Sequence, residues 1–226
     1  MRAGAPGVSP LQVQPITVAD AVTAELRRRL LLGLYAEGTQ LRDTELAAEF
    51  GVARPTIRAA VATLVADGLL ARGRGRSAEV RSFTARDAVD LYRLRRAIEG
   101  AAIADVIARR ADLSGVRASA EAFSALTEAT GWDVVADHDV AFHRAVMAAS
   151  GSARLLRAFD MASAEHRLLI AILRPAYASV RELATEHQAL FLALANGDPQ
   201  VAAEAWSAHF DESERFLTTL ITERAQ

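Results

Sequence analysis

The sequence predicts a mainly α-helical protein of two domains, in which a small helical unit with a hairpin precedes an all-α bundle. Helical periodicity runs through almost the whole chain. Only two short segments, 69–71 and 79–81, have the composition of strands. The chain has 226 residues, of which 51% are hydrophobic, which is enough to bury two cores. We therefore expect separate domains over residues 16–82 and 83–226, preceded by a disordered tail over residues 1–15.

The composition excludes several classes of protein. The chain contains no cysteine, which rules out disulfides, thiolate metal sites and cysteine nucleophiles, so a metal ion would need histidine and carboxylate ligands. No run of eighteen uncharged apolar residues is present, and residues 1–15 lack the apolar stretch of a signal peptide. We expect a cytoplasmic protein without a membrane partner.

The basic residues are compatible with a nucleic-acid partner but do not by themselves predict one. All 26 are arginine, whose guanidinium group binds phosphate and guanine through paired hydrogen bonds. Genomic base composition is the simpler explanation of this bias. The net charge is only −2, with ten arginines against eight acidic residues in 16–82 and fifteen against twenty in 83–226. This mild asymmetry is compatible with an N-terminal half that faces DNA.

The helical segments of the first domain carry clear boundary signals. Thr17 and Asp20 form a capping-box pattern. Gly51 ends the second segment, and Pro55 falls in the first turn of the third, where proline is tolerated. Helices are predicted over about 18–34, 45–50 and 55–67.

The two strand candidates complete this domain. Residues 69–71 and 79–81 are joined by the basic turn 72–77. Three helices followed by a hairpin is the order of a winged helix-turn-helix. In that fold Arg54, Thr56 and Arg58 lie on the outer side of the second helix of the motif, where base-reading residues stand. A single helical arginine is usually a solvated charge, but the glycine turn and basic wing together favour contact with DNA.

This segment resembles the GntR family of regulators. The resemblance implies that Arg54, Thr56 and Arg58 contact a palindromic operator in double-stranded DNA, bound by a homodimer. It implies also that Gly75, flanked by Arg74 and Arg76, lies at a wing tip in the minor groove. Ala53 and Thr44 depart from the family, which usually has serine at the first position and in one member a DNA-contacting arginine at the second. The matching residues are Leu41 to Asp43, Glu45-Leu46-Ala47, Gly51-Val52, Arg54-Pro55-Thr56-Ile57-Arg58, Leu64 and Asp67-Gly68-Leu69-Leu70.

The second domain is predicted to be a six-helix bundle. Its breaks fall at Asp112, Gly131, Gly151, Pro175 and the turn 196–199. The six segments cover about 85–110, 112–129, 133–150, 152–174, 177–196 and 199–224.

Histidines in this bundle could meet at one level. Asp139 and His143 are spaced i, i+4 on one helical face. His187 lies ten residues before Gly197 and His209 twelve residues after it, so antiparallel helices bring them together. An aspartate with three histidines suits a divalent transition metal. An ordinary structural role for each histidine remains an alternative.

The bundle resembles the FCD ligand-binding domain of the FadR subfamily. The resemblance implies a metal ion held by Asp139, His143, His187 and His209, with zinc ahead of nickel, manganese or iron. It places Arg95 at an effector cavity, as a partner for a small carboxylate or sugar-acid effector. A helix-surface salt bridge between Arg95 and Glu99 is the alternative. The matching residues are Leu91-Tyr92-Arg93-Leu94-Arg95 through Glu99, Asp139 through His143, Glu186-His187, Ala193-Leu194, Asn196-Gly197-Asp198 and His209.

Three functions are compatible with this pattern. The first is a homodimeric regulator, a repressor in most of this subfamily, controlled by a small acid. The second is a metal-dependent enzyme, against which stands the lack of any Glu-x-x-His pair, His-Glu-x-x-His or P-loop motif. The third is a DNA-binding protein whose metal ion is only structural. His166 is left undecided between the cavity and the surface.

Overall fold

The computed structural model describes residues 17–73, 77–173, 177 and 179–224. The predicted tail over residues 1–15 and the predicted wing-tip residues Arg74, Gly75 and Arg76 lie outside the described residues. Across these ranges the chain forms nine helices and one three-stranded sheet, which confirms the mainly α fold with a winged helix-turn-helix and a six-helix bundle. Among them, no helix combines the length and the apolar character needed to cross a membrane.

The N-terminal domain contains one strand more than the sequence predicts. Strand β1 pairs with β3 in antiparallel register, opposing Leu41 to Ala78, and β2 pairs with the other side of β3, giving the order β1-β3-β2. The prediction of only two strands was wrong because β1 is three residues long, too short for an alternating pattern to show. The elements are α1 Val18–Leu31, β1 Gln40–Arg42, α2 Asp43–Phe50, α3 Arg54–Ala66, β2 Leu70–Arg72 and β3 Ser77–Val80.

Local chemistry sets the ends of these helices. Thr17 and Asp20 form the predicted capping box at the start of α1. Helix α1 ends at Leu31, three residues earlier than predicted, and Gly33 follows in the left-handed conformation at φ 69°. Gly51 ends α2 at φ 64° and turns the chain into α3. Ala53 precedes α3 in an extended conformation and, as expected for alanine, its side chain forms no capping hydrogen bond.

The C-terminal domain has the predicted six helices, of which α4, α5, α7 and α8 are shorter than predicted. Thr84 and Asp87 form a second capping box at the start of α4. Helix α4 packs against α6, α7 and α9, while α8 packs against α5 and α9. This arrangement turns one face each of α4, α6, α7, α8 and α9 towards a shared interior. The helices are α4 Ala85–Ala108, α5 Ser114–Ser124, α6 Trp132–Ala149, α7 Ala153–Leu173, α8 Val180–Asn196 and α9 Pro199–Arg224.

The two domains meet on helix α7. Ala164 of α7 is buried within the core of the N-terminal domain, beside Leu168. Glu165 pairs with Arg81, which follows β3, and Arg81 also lies 3.3 Å from Asp87 at the start of α4. The winged domain therefore rests directly on a helix that lines the interior of the bundle.

The uncapped start of α3 yields a stability prediction. Replacing Ala53 by serine supplies a hydroxyl that accepts a hydrogen bond from the Thr56 N–H, which now bonds only the Ala53 carbonyl at 2.9 Å. Because the backbone at position 53 is already extended, Ala53→Ser should raise the free energy of unfolding of the N-terminal domain by about 1 kcal/mol. Urea unfolding followed by far-UV circular dichroism measures this difference.

The exposed Ala59 inside α3 provides the matched control. Ala59→Ser adds the same hydroxyl in the helix interior, where serine is slightly unfavourable. Equal effects of the two substitutions would contradict the capping argument.

Candidate functional site

The outer face of α3 carries the arginines predicted to contact DNA. Arg54 and Arg58 are exposed and lie one turn apart near the start of the helix. Ile57 and Leu64 are fully buried on the inner face. Thr56 is partly buried and, two residues from Arg54, points to a different side of the helix. The structure thus groups the two arginines and places Thr56 beside them at the helix N-terminus.

A groove joins this helix to the sheet. Arg58 of α3 and Arg72 of β2 both line it, together with Asp43 and Ser77. The hairpin is closed by a hydrogen bond from the Gly73 amide to the Ser77 carbonyl at 3.1 Å. Two guanidinium groups therefore flank one concave surface at the base of the wing, an arrangement suited to a phosphate backbone.

A second group of functional side chains lies inside the bundle. Asp139 and His143 project from α6, His187 from α8 and His209 from α9, and all four are buried. One ligand nitrogen from each of the three histidines lies within 4.8 Å of the others. The predicted residues are thus brought together from three helices.

The three histidines share an orientation. His143 Nδ1 donates to Glu99 Oε2 at 2.6 Å and His209 Nδ1 donates to Glu186 Oε1 at 2.6 Å. His187 Nδ1 donates to the Leu183 carbonyl at 2.8 Å. In neutral rings this leaves the proton on Nδ1 and the lone pair on Nε2. Metal-binding histidines in proteins are held in this way, by an acceptor on the nitrogen that does not bind the ion.

Several polar atoms at the centre of the cluster have no hydrogen-bond partner within the described residues. They are both carboxylate oxygens of Asp139 and the Nε2 atoms of His187 and His209. Asp139 Oδ1 lies 3.0 Å from His187 Nε2, and in a neutral ring with its proton on Nδ1 both of these atoms are acceptors. Buried polar atoms are rarely left unpaired in proteins, because each unpaired atom costs free energy. Their convergence points to a ligand.

Arg95 lies in the same interior, beside the Nε2 atom of His143. Its side chain is 1% exposed, with Nε 2.8 Å from Glu99 Oε1 and Nη2 3.1 Å from His143 Nε2. The guanidinium also lies over the rings of Tyr92 and Phe210, at 5.1 and 4.9 Å from their centroids. The surface alternative was wrong: the pair with Glu99 exists, but α4 turns it into the core.

The electrostatics of the cluster favour an ionised Asp139 and a neutral His143, whereas the net pKa shift of His187 favours its protonated form. Burial opposes ionisation of Asp139, but His166 and His187 hold the pKa of this carboxyl well below its usual range. Burial lowers the pKa of His143 to about 3, although Glu99 opposes this shift. Burial also acts to lower the pKa of His187, but the nearby Asp139 carboxylate raises it. Ionised carboxylates and neutral imidazoles are the forms that bind metal ions.

His166 and Glu99 were not among the predicted site residues. His166 is 2% exposed, and its Nε2 lies 2.9 Å from Asp139 Oδ2, which decides against a surface position. Its spacing to Phe159 and Ile170 places it on the buried stripe of α7, a signal that periodicity could have supplied. Glu99 was considered only as a partner of Arg95, whereas its second oxygen also holds His143.

Comparisons with known proteins agree with both halves of this description. The family model "Bacterial regulatory proteins, gntR family" matches residues 18–80, and the "FCD domain" model matches residues 90–212, more than half of the chain. The chain belongs to the GntR family. Its FCD domain fits the FadR subfamily, so this is a DNA-binding transcription regulator with an effector-binding domain.

Three similar proteins extend the comparison for this GntR regulator. A "Probable D-xylose utilization operon transcriptional repressor" from Paenarthrobacter nicotinovorans is 30% identical over 196 residues, which is 85% of each chain. The crystal structure of a putative transcriptional regulator GntR from Rhodococcus sp. RHA1 has a TM-score of 0.73 at 26% identity, covering 88% of this chain and 96% of that one. The E. coli McbR/YncC structure shares the fold, with a TM-score of 0.67 at 16% identity and coverages of 94% and 100%. The family matches and relatives are regulators rather than enzymes.

The residues of the FCD domain fit a divalent transition ion. The donor set consists of nitrogen and oxygen atoms. A carboxylate or carbonyl oxygen accepts a hydrogen bond from the Nδ1 of each of the three histidines. The four residues lie in a buried interior that can exclude competing water. No polar partner from the described protein occupies the lone pairs of His187 and His209.

The buried pair of Arg95 and Glu99 yields a second stability prediction. Glu99→Leu leaves the guanidinium buried without its carboxylate, which should cost about 3–5 kcal/mol in the free energy of unfolding. Adding Arg95→Met to this variant removes the stranded charge and should recover much of the loss. Urea unfolding of the two variants and the parent protein measures both effects.

An exposed pair between two other helices of the bundle, α6 and α7, is the control. Arg144 Nε lies 2.7 Å from Asp160 Oδ1, with both side chains largely exposed. Arg144→Met should cost less than about 1 kcal/mol. A comparably small loss for Glu99→Leu would show that the Arg95 pair is not sealed from water.

Proposed function

We propose that this GntR regulator is a homodimeric repressor whose operator affinity is controlled by a small carboxylate bound at a metal ion in the FCD domain. One observation carries the proposal. Three buried histidines are each held by Nδ1, one ring nitrogen of each lies within 4.8 Å of the others, and the Asp139 carboxylate lies 3.0 Å from His187 Nε2. A purely structural histidine cluster needs no such common orientation.

Asp139, His143, His187 and His209 would hold the ion, with zinc as the first candidate and nickel, manganese or iron as alternatives. When bound, the ion supplies a Lewis-acid centre that attracts anionic oxygen. Glu99 and Glu186 fix two of the histidine rings and increase their basicity. The described residues thus provide both the ligands and their support.

Charge compensation favours an acidic effector. The positive charge of Arg95 balances the negative charge of Glu99. With neutral histidines, the Asp139 carboxylate is then the remaining net charge among the buried residues of the cluster. A divalent ion reverses the sign of this interior, and a small anion then restores neutrality. Glu186 is partly exposed and so is screened by solvent. The relative named for D-xylose utilization suggests sugar-derived acids as one group to test.

Helix α7 supplies a route from the effector site to the DNA-binding domain. His166 faces the cluster, while Ala164 and Glu165 on the same helix contact the N-terminal core and Arg81. An effector that favours one position of α7 would shift the winged domain with it. A differential affinity of about 1–3 kcal/mol between two arrangements gives a typical allosteric coupling.

A dimer would let two α3 helices read the operator together. In helix-turn-helix dimers the recognition helices enter successive major grooves about 34 Å apart, which matches a palindromic site. Leu94 of α4 and Met161 of α7, 42% and 82% exposed, line one groove on the bundle surface. These two exposed apolar side chains share the groove with Arg81, Asp87, Asp90 and Glu165, and they support association with a second copy of the chain.

The DNA-reading role of α3 predicts the effect of one arginine. Arg58→Ala should weaken binding to an operator selected with the parent protein by about 1–3 kcal/mol, with little effect on a scrambled duplex. Fluorescence anisotropy at two salt concentrations measures both affinities. Arg93→Ala, at an exposed site on α4, is the control for the loss of one positive charge. Unchanged operator affinity of the Arg58 variant would exclude Arg58 from sequence reading.

A thermal-shift screen tests the effector site. Hydroxy acids, sugar acids and dicarboxylates are added with and without a chelator, and neutral D-xylose controls for sugar recognition without a carboxylate. A ligand at 100 times its Kd should stabilise the protein by about 2.7 kcal/mol. We expect an acid to raise the melting temperature only when the chelator is absent.

Other outcomes identify different sites. Stabilisation that survives the chelator would move the carboxylate to Arg95 alone. A chelator that lowers the melting temperature, with no response to any acid, would make the metal ion structural. A positive response to D-xylose alone would exclude the carboxylate as the recognised group.

A further inference from the structure

We infer that His166 is a fifth, exchangeable donor at this metal centre and that a small carboxylate displaces it. This inference rests on the proposed metal site but concerns a residue outside the four predicted ligands. The displacement is a ligand exchange without redox change. The ring nitrogen of His166 leaves as a carboxylate oxygen takes its place.

The position of His166 allows it to bind the same ion. Ligand atoms of Asp139, His143 and His166 lie within 4.8 Å of one another, and His143 is shared with the group formed by His187 and His209. The ring centroids of His143 and His166 are 5.5 Å apart. His166 therefore adds a donor from α7 to the centre built by α6, α8 and α9.

The way His166 is held distinguishes it from the other three histidines. Its Nδ1 has no hydrogen-bond partner within the described residues, whereas an oxygen holds Nδ1 in each of the others. Its Nε2 lies 2.9 Å from Asp139 Oδ2 and has no other partner among the described residues. A ring without a fixed second nitrogen is a weaker donor and can turn at lower cost. These features favour exchange over permanent binding.

His166 is also the donor closest in sequence to the domain contact. Glu165, the preceding residue, pairs with Arg81, and Ala164 is buried in the N-terminal core. Release of His166 from the centre would remove one link between α7 and the other helices of the site. Occupancy by a carboxylate is thereby linked to the helix on which the winged domain rests.

Cobalt substitution tests the inference, because the visible absorption of Co2+ depends on its ligands. Co2+ is added to the metal-free full-length protein, and acetate is then titrated as the carboxylate. For His166→Ala we expect an altered spectrum before acetate is added. If His166 occupies the coordination position in nine-tenths of the parent molecules, acetate should bind about tenfold more tightly to the variant, in which this position is always free.

A conservative variant separates ligation from simple support of Asp139. His166→Gln keeps an N–H donor for Asp139 but removes the imidazole donor. It should behave like His166→Ala if His166 binds the ion. A spectrum and acetate affinity equal to those of the parent protein, for both variants, would overturn the inference. His138→Ala, on α6 but outside the cluster, controls for loss of a histidine.

His209→Ala separates this inference from the proposed function. It should lose Co2+ affinity while His166→Ala retains most of it. Suppose that the parent protein binds Co2+, that His209→Ala does not, and that the His166 variants have the parent's spectrum and acetate affinity. The four-residue metal centre is then supported, and the inference that His166 is an exchangeable donor is wrong. If His209→Ala binds as tightly as the parent protein, the four-residue centre is wrong and this inference fails with it.

Discussion

The interior of the bundle is organised around one buried carboxylate. Asp139 is fully enclosed and remains ionised because His166 and His187 lie within 3.0 Å of its two oxygens. A charge in such a place is costly unless other groups compensate it. The helices that surround it, α7 and α8, are therefore tied to α6 by electrostatics as well as by packing. An added cation is the strongest form of this compensation.

A few residues link the buried charge of Asp139 to the DNA-binding domain. Asp139 contacts His166, and the next residue towards the N-terminus, Glu165, pairs with Arg81 beside the sheet. Arg81 also donates to the Gly68 carbonyl at 3.4 Å, just after α3. A displacement of α7 by a fraction of a helical turn thus acts on both the sheet and the end of α3. Packed elements with two discrete arrangements carry such coupling over distance.

Sequence patterns were sufficient where local rules decide the structure. Gly51 and Pro55 mark the turn of the helix-turn-helix because glycine adopts positive φ and proline suits a first turn. His187 and His209 lie at similar distances along the chain from Gly197, which ends α8 with a φ of 77°. In antiparallel helices they therefore lie at the same height along the bundle axis. Such features depend on residues close in the chain. Six helices with approximate ends could be placed from the same signals.

Features that depend on distant partners could not be read in this way. Strand β1 exists because β3 supplies its hydrogen bonds, with a register set by residues almost forty positions later. The burial of Arg95 depends on how α9 and α6 cover α4, since Phe210 and His143 both contact the guanidinium. The i, i+4 spacing with Glu99 is the same for an exposed and a buried pair. Periodicity alone therefore left the surface alternative open.

The contact between Arg95 and His143 would exclude the binding of His143 to the proposed metal ion. His143 Nε2 has one lone pair, and in this structure Arg95 Nη2 lies 3.1 Å from it. The same lone pair would bind an ion, so ion binding requires this guanidinium nitrogen to move away. The pair with Glu99 restrains that movement, because Arg95 Nε stays 2.8 Å from Oε1. An N–H group released from His143 but kept beside the centre is placed to donate to an incoming carboxylate. In the proposed function, metal binding would then prepare the arginine for the effector, and one side chain would serve both the core and the site.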